Sequence, residues 1–296
     1  MITIDHIDFK YGRRRPAVFE DFSLRIGSGR ICGLLGRNGT GKSTLLYLLS
    51  GLLFPQRGAV CFRGEDVARR RPEELRDIFL VPEEFSLPGV TLSRYVALNR
   101  PFYPRFSDEL LASCLRDFDL ASDLHLGQLS MGQKKKAFMS FALAAGTSLL
   151  LMDEPTNGLD IPSKSQFRRV VANCMTEERT IVVSTHQVRD VEALLDHVVM
   201  LEGSHILLDS PTAAICRRLS FEERPVGAPL DDVLYEQPSL AGRSVIARNP
   251  QGRETPLNLE LLFNALLSAP ALRAFIGGGR GADNVEPENT NRNENI

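Results

Sequence analysis

A glycine-rich segment over residues 36–44 has the composition and spacing of a phosphate-binding loop. It fits the pattern G-x-x-x-x-G-K-[ST] between an apolar run and a helix-like run. Glycines let the backbone fold tightly around a phosphate, and the following helix adds the positive end of its dipole. Lys42 is expected to reach the β- and γ-phosphates, and the Ser43 hydroxyl to ligate Mg²⁺. The segment predicts a nucleotide site formed by Gly36, Arg37, Asn38, Gly39, Thr40, Gly41, Lys42, Ser43 and Thr44.

A second candidate site is the pair of acids Asp153 and Glu154, which directly follows the apolar run 149–152. Ligands of parallel sheets bind beyond the carboxyl ends of the strands, so both side chains are placed for chemistry. We expect Asp153 to hold Mg²⁺ through water and Glu154 to polarise an attacking water. Acids at a strand end also cap helices, but about 110 residues after a phosphate loop the catalytic interpretation is favoured.

Strands and helices alternate along the first 208 residues, which favours a mostly parallel sheet with helices on both faces. Strands are expected within 1–30 and at 30–35, 59–63, 149–152 and 180–184, followed by a hairpin of 197–201 and 206–208. Helices are expected at 45–53, through the helical pattern of 72–127, and at 130–145, 163–176 and 188–195. After residue 210 the pattern predicts a helix at 211–219, a strand at 244–248 and a helix at 257–267.

The composition is that of an ordinary globular protein, with 43% hydrophobic and 24% charged residues among 296. The net charge of -2 gives no reason to expect a nucleic-acid partner. The five cysteines form no C-x-x-C pair, which argues against a disulfide framework or a metal cluster. No apolar run reaches the roughly 18 residues of a membrane span, and no signal peptide is evident. We therefore expect a cytoplasmic protein that reaches a membrane only through a partner.

Further motifs, in their order along the chain, resemble those of the ATP-binding cassette (ABC) ATPase family. The resemblance runs from residue 1 to about residue 208 of the 296. It rests on the phosphate loop and the acidic pair, and on four further sets: Tyr11; Leu129, Ser130, Met131, Gly132 and Gln133, which are similar to the signature LSGGQ; Gly158, Leu159 and Asp160, similar to the D-loop; and Ser184, Thr185 and His186, similar to the switch histidine.

The resemblance implies an α/β fold of the P-loop NTPase type. In that fold a mostly parallel sheet core is joined by antiparallel N-terminal strands and a helical subdomain. The implied cassette covers 1–209, with the helical subdomain at about 84–145. Residues 210–276 would form a small C-terminal accessory region, either a regulatory or dimerising domain or a helical buttress, and 277–296 a disordered tail.

The resemblance also implies ATP and Mg²⁺ as ligands, with Lys42, Glu154 and His186 as catalytic residues. Tyr11 would stack on adenine, although a tyrosine near a strand end is also common in packing. The start of the helix after the signature suits an anion, and the resemblance implies that the signature completes the site of a second cassette, in a homodimer or a heterodimer. The alternative for its serine is an ordinary helix cap. The signature residues expected at nucleotide are Ser130, Gly132 and Gln133.

Two positions depart from the family pattern. Glu83 stands where the family has a glutamine between its subdomains, and we expect this carboxylate to ligate Mg²⁺ or its water. Met131 replaces the first glycine of the signature. The lysine run at 134–136, directly after the signature, is interpreted as a solvated helix face.

The class of protein follows from what the chain lacks. Mechanical ATPases of chromosome maintenance need long coiled coils between phosphate loop and signature, but Lys42 and Ser130 are only about 88 residues apart. Tandem-cassette translation factors carry two cassettes. A transporter subunit with a separate permease remains, at the inner face of the membrane, and a soluble stand-alone ABC switch is the alternative. The segment 99–120 is similar to the bacitracin-export-like branch of ABC-2-type exporters, which favours export.

Overall fold

The computed structural model describes residues 1–240 and 242–277. The strands are β1 (Ile2–Phe9), β2 (Phe19–Ile26), β3 (Ile31–Gly36), β4 (Arg57–Phe62), β5 (Glu65–Asp66), β6 (Ile78–Val81), β7 (Leu149–Asp153), β8 (Thr180–Thr185), β9 (His197–Glu202), β10 (His205–Pro211), β11 (Leu219–Arg224), β12 (Val233–Ser239) and β13 (Gly242–Arg248). The helices are α1 (Lys42–Leu49), α2 (Pro72–Leu75), α3 (Leu92–Asn99), α4 (Asp108–Asp117), α5 (Met131–Ala144), α6 (Ile161–Asn173), α7 (Thr212–Arg218), α8 (Leu259–Ser268) and α9 (Pro270–Gly277).

The central sheet has the strand order β10-β9-β3-β8-β7-β6 within the described residues. All neighbours from β9 to β6 are parallel, and only β10 pairs antiparallel with β9. Every residue of β3, β7 and β8 is buried, as expected for strands that are covered on both faces. The mostly parallel sheet predicted from the alternating pattern is therefore confirmed.

An antiparallel sheet of order β2-β1-β4-β5 lies over the phosphate-loop helix α1. Strand β2 alternates buried and exposed residues along most of its length, because one face packs on the core and the other meets solvent. Its buried side chains join those of α1 and the central strands in one apolar cluster, which includes Phe19, Leu24, Leu46, Leu151 and Val182. This layer holds the beginning of α1 firmly against the sheet.

Helices α3, α4 and α5 form the helical segment, whose centre is the buried ring of Phe141. The rings of Tyr95, Tyr103 and Phe106 lie 5.1, 6.0 and 5.3 Å from it, measured between centroids. The helical pattern expected through 72–127 is wrong at β6, which pairs with β7 at the sheet edge. All four β6 residues are apolar, so they lack the alternation that marks a strand in a sequence.

The C-terminal part contains the antiparallel sheet β11-β13-β12, packed with α8 and α9. The helix at 211–219, the strand at 244–248 and the helix at 257–267 are confirmed by α7, β13 and α8. Strands β11 and β12 were not expected, since their charged residues and Pro238 hide the pattern. The helix expected at 188–195 is instead two 3₁₀ turns, Val188–Asp190 and Glu192–Leu194. The tail predicted at 277–296 lies, apart from Gly277, outside the described residues.

Helices long and apolar enough to cross a bilayer are not found among residues 1–240 and 242–277.

Candidate functional site

The candidate residues gather at one edge of the central sheet because of its strand order. In the order β3, β8, β7 and β6, each strand ends in a segment singled out by the sequence. The phosphate loop follows β3, His186 follows β8, Glu154 follows β7 and Glu83 lies just after β6. Residues opposite in register include Leu35 with Thr185. This edge therefore assembles groups that are up to 150 residues apart along the chain.

The phosphate loop takes the tight path that its glycines allow. Gly39 and Gly41 have φ angles of 84° and 93°, in the left-handed region that favours glycine. A Cβ atom at Gly41 would lie 2.8 Å from Val18 Cγ1, so the turn also needs the missing side chain. Thr40 Oγ1 closes the loop by donating to Arg37 O at 2.9 Å. The rim of the loop, Arg37, Asn38 and Gly39, is exposed.

The lysine of the loop, Lys42, lies inside it and is 6% exposed. Its Nζ donates to the carbonyls of Gly36 at 2.9 Å and Arg37 at 3.1 Å. Burial lowers the pKa of the ammonium, while the carboxylates Glu154, Asp153 and Glu83 act in the opposite direction. Lys42 is thus the central positive charge of a carboxylate-rich site, where a triphosphate would compete for it.

The carboxylate of Glu154 is held by the segment that ends β8. Thr185 Oγ1 donates to Glu154 Oε2 at 2.9 Å. The backbone N–H of His186 donates to Oε1 at 3.0 Å, and its ring Nδ1 lies 2.7 Å from the same oxygen. Oε1 is also 4.0 Å from Lys42 Nζ. The residue has a φ of 44°, unusual for a side chain of this size, so the surrounding contacts must hold the turn.

Oxygen ligands suitable for Mg²⁺ meet beside Lys42. Asp153 is 1% exposed and accepts a hydrogen bond from Ser184 Oγ on the neighbouring strand. Ser43 is the second residue of α1, and Glu83 lies just after β6 at the edge of the sheet. Hydroxyl and carboxylate oxygens are the hard donors that Mg²⁺ prefers, and it often takes only one or two carboxylates with substrate phosphates. The donor set fits the ion, although among the described residues no three His, Cys, Asp or Glu side chains form a cage.

Tyr11 stands beside the phosphate-loop helix with 59% of its surface exposed. Its hydroxyl lies 2.9 Å from Thr44 Oγ1, and its ring meets Phe9 edge-on at 5.1 Å. A supported aromatic ring with an exposed face is suited to stack on a flat heterocycle.

The signature residues lie at the beginning of α5, where Ser130 is the N-cap. Ser130 Oγ accepts from the N–H of Gln133 at 3.3 Å, and Gln133 Oε1 accepts from the N–H of Ser130 at 3.0 Å. This capping box is the ordinary helix cap considered from the sequence. It leaves the serine hydroxyl proton free to donate to an anion. Gly132 and Met131 line a cavity of about 410 Å³ with Glu83 and Gly158, and Lys42 is not among the lining residues.

The interpretation of 134–136 as a solvated face is wrong for two of its lysines. Lys135 is 5% exposed, and its Nζ donates to Glu154 O at 3.0 Å and Asn157 O at 2.9 Å. Lys136 Nζ donates to Gln166 Oε1 at 2.9 Å. Both face inward because α5 packs between the sheet edge and α4, which charge alone does not reveal.

Sequence reasoning missed three other residues that shape the site. Thr185 was quoted only as a neighbour of the histidine, and the roles of Lys135 and Asn157 were not foreseen. Asn157 Nδ2 donates to Glu83 Oε1 at 2.8 Å. The signal available was their place in the motifs, since each lies within a few residues of a predicted functional position.

Comparisons with known proteins fit this geometry. The ABC transporter family matches residues 19–157. ABC transporter ATP-binding protein NatA of Bacillus subtilis is 30% identical over 70% of this chain and 88% of its own length. The chain belongs to the ATP-binding proteins of ABC transporters. As a member of this family it binds ATP and is an ATPase.

Two other relatives of this ABC protein align with it over different shares of its length. YtrB of Bacillus subtilis is 29% identical over 64% of this chain, which spans only 65% of YtrB's length. Nod factor export ATP-binding protein I of Neorhizobium galegae is 27% identical over 88% of this chain and 77% of its own length.

Solved structures agree with the cassette fold. The ATP-binding subunit of an ABC transporter has a TM-score of 0.65 at 25% identity, over 73% of this chain and 92% of that one. The dimeric structure of a bacterial ABC transporter cassette has a TM-score of 0.62 at 24% identity, over 71% and 98%. The predicted α/β cassette, with its parallel sheet core and antiparallel N-terminal strands, is confirmed.

Proposed function

We propose that this protein is the ATP-hydrolysing subunit of a membrane ABC exporter and drives a separate permease. The observation that carries the proposal is the position of Glu154. Its buried carboxylate is oriented by Thr185 and His186 and lies 4.0 Å from Lys42. A carboxylate fixed in this way beside a phosphate cradle can polarise a water for attack on a γ-phosphate.

The remaining residues are assigned by their chemistry. Lys42 contacts the β- and γ-phosphates, and His186 contacts the γ-phosphate from the end of β8. Mg²⁺, when bound, offsets the negative charge of the phosphates. Ser43, Asp153 and Glu83 would hold the ion. Adenine stacks on the exposed ring of Tyr11, and the phosphates lie in the loop formed by Gly36, Arg37, Asn38, Gly39, Thr40, Gly41 and Thr44.

A second cassette completes the nucleotide site in this proposal. Two copies lie head to tail, so that Ser130, Gly132 and Gln133 of one copy close over the nucleotide held by the other. Lys42 does not line the cavity of Met131 and Gly132, which supports a site completed by another copy. The hydroxyl proton of Ser130 and the positive end of α5 suit an anion there. The second cassette is a copy of this chain, with a related chain as the alternative.

The permease is proposed to dock on the helical segment. A groove of about 650 Å³ lies between α3 and α4, with Leu92, Val96 and Leu111 on its walls. Leu98 and Phe102 are 51% and 66% exposed at the same segment. The chain would then lie at the cytoplasmic face of the membrane. Similarity to a Nod factor export protein supports the outward direction.

The proposed division of labour follows the chain order. Residues 1–209 form the cassette, with the helical subdomain at about 84–145. Residues 210–276 form an accessory region with its own sheet, which rests on the cassette through contacts of α8 and α7.

The decisive experiment replaces Glu154 by glutamine in the full chain. The variant keeps the size of the side chain but cannot take a proton, so ATP turnover is expected to fall at least about 100-fold. ATP binding is expected to persist and to leave a nucleotide-bound dimer that elutes early in size-exclusion chromatography. Glu73→Gln, at an exposed position of α2, is the matched control. An unchanged rate in Glu154→Gln would remove this residue from the catalytic role.

The soluble stand-alone switch is tested separately. Co-expression with a two-subunit partner permease should give a co-purifying complex with a higher ATPase rate. A chain that hydrolyses ATP at the same rate with and without the permease, and that never co-purifies with it, would favour the soluble switch.

A further inference from the structure

Lys135 is the most deeply buried lysine of the described residues that lies outside the phosphate loop. Its ammonium reaches from the first turns of α5 to the turn that follows β7. There it donates to Glu154 O at 3.0 Å and to Asn157 O at 2.9 Å. A buried ammonium is costly unless it is hydrogen-bonded and balanced by negative charge. The position therefore needs an explanation beyond packing.

Lys135 donates its hydrogen bonds to the turn that orients the proposed catalytic carboxylate of Glu154. Glu154 O accepts from the N–H of Asn157 at 3.2 Å as well as from the lysine. The φ of 44° at Glu154 lies in the left-handed region, which is unfavourable for a residue with a side chain. Two hydrogen bonds from a cation to the carbonyls at the ends of this turn oppose its relaxation.

The positive charge of Lys135 also offsets the extra negative charge of Glu83. Asn157 joins the two residues, since its carbonyl accepts from Lys135 and its side-chain amide donates to Glu83 Oε1 at 2.8 Å. Lys135 and Glu83 also line the same cavity of about 410 Å³. Burial lowers the pKa of Lys135, and the nearby carboxylates of Glu83, Glu154 and Asp153 oppose this shift.

We propose that Lys135 is a positioning residue, which holds the Glu154 turn and balances the charge of Glu83. This inference rests on the proposed function, because it takes Glu154 as the group that activates water. The side chain touches no reacting atom. Its effect is exerted through the backbone of Glu154 and through the amide of Asn157.

The test is a double-mutant cycle of Lys135→Gln and Glu83→Gln in the full chain. Lys135→Gln alone is expected to lower kcat at least tenfold and to change the KM for ATP less than threefold. In the Glu83→Gln background the same substitution is expected to cost at least threefold less than it does alone, because no unbalanced carboxylate remains and only the loss of the two hydrogen bonds to the Glu154 turn persists. Lys134→Gln, the adjacent and more exposed lysine, is the matched control and should stay within twofold of wild type.

A second readout does not depend on turnover. A fluorescent ATP analogue is titrated with Mg²⁺, and the half-saturating Mg²⁺ concentration for binding is measured. Lys135→Gln is expected to shift this concentration at least threefold, and the double variant is expected to return toward Glu83→Gln. A purely structural role would lower the thermal unfolding temperature without this coupling.

Three results would overturn the inference. One is a Lys135→Gln kcat equal to that of Lys134→Gln. Another is an additive cycle, in which the lysine substitution costs the same factor with and without Glu83. A third applies if Lys135→Gln does not fold. The double variant with Glu83→Gln should then fold, and a double variant that also fails to fold would contradict the proposed charge balance. A wild-type chain that neither binds nor hydrolyses ATP would refute the proposed function itself, which is a distinct outcome.

Discussion

The hydrogen bonds that hold the Glu154 carboxylate lead to a testable prediction at Thr185. This side chain is fully buried, donates to Glu154 Oε2 at 2.9 Å and accepts from the N–H of Gln187 at 2.9 Å. Thr185→Val keeps the shape but removes both hydrogen bonds. Thr185→Ser keeps the hydroxyl and loses only a methyl group, so the two variants separate hydrogen bonding from packing.

The size of the effect follows from the contacts that remain. A hydrogen bond to a charged group contributes about 1.5–3 kcal/mol, and about 1.4 kcal/mol corresponds to a factor of ten in rate. Complete loss in the transition state would lower kcat about 10- to 100-fold. Because His186 still contacts Oε1 at 3.0 and 2.7 Å, we expect the lower end, about tenfold.

The assay is steady-state ATP hydrolysis by the full chain, together with binding of a fluorescent ATP analogue. Thr185→Val should lower kcat about tenfold with nucleotide affinity nearly unchanged, since the hydroxyl contacts the carboxylate and not the phosphate loop. Thr185→Ser should stay within about threefold of wild type. The reasoning is refuted if valine and serine give the same kcat, or if valine abolishes nucleotide binding in a folded protein.

Two further predictions concern stability. Arg179 is 6% exposed and donates to the carbonyls of Leu143, Thr147 and Cys174. Arg179→Met should therefore lower the free energy of unfolding, measured by urea titration, by about 2–4 kcal/mol. An unchanged urea midpoint would contradict this prediction. In the C-terminal part, hydrogen bonds from Arg224 lower the pKa of Asp232 to about 2. The depressed pKa adds stability above the ordinary value near 4, which is lost as the pH falls through about 2, so wild type should unfold at a slightly higher temperature than Asp232→Asn at pH 5 but not at pH 2.

The phosphate loop and the acidic pair could be located from sequence because local rules determine both. Glycine at the left-handed positions Gly39 and Gly41 has few substitutes, and an apolar strand that ends in two acids marks the edge of a sheet. The strand order then places the two segments together. The chemical roles of the individual side chains remain predictions for the experiments above.

The contacts between segments could not be predicted in the same way. Lys134, Lys135 and Lys136 look alike in the sequence, but the rotation of α5 against the sheet decides which of them is buried. Strand β6 was missed because its apolar residues carry no period. Strands β11 and β12 were missed because they are only partly buried, so that charged residues occupy half of β11 while Glu236, Gln237 and Pro238 interrupt the apolar pattern of β12.

The buried lysine also bears on how the helical segment and the catalytic edge depend on each other. Helix α5 begins with the signature and, one turn later, carries the ammonium that grips Glu154 O and Asn157 O. In the proposed dimer the start of α5 faces the nucleotide of the second copy. A shift of α5 by about 1 Å away from this turn would lengthen both hydrogen bonds beyond their normal range of about 2.7–3.2 Å and weaken the support of the turn at Glu154. In the proposed dimer, Lys135 would therefore link the carboxylate of one site to the helix start that faces the other.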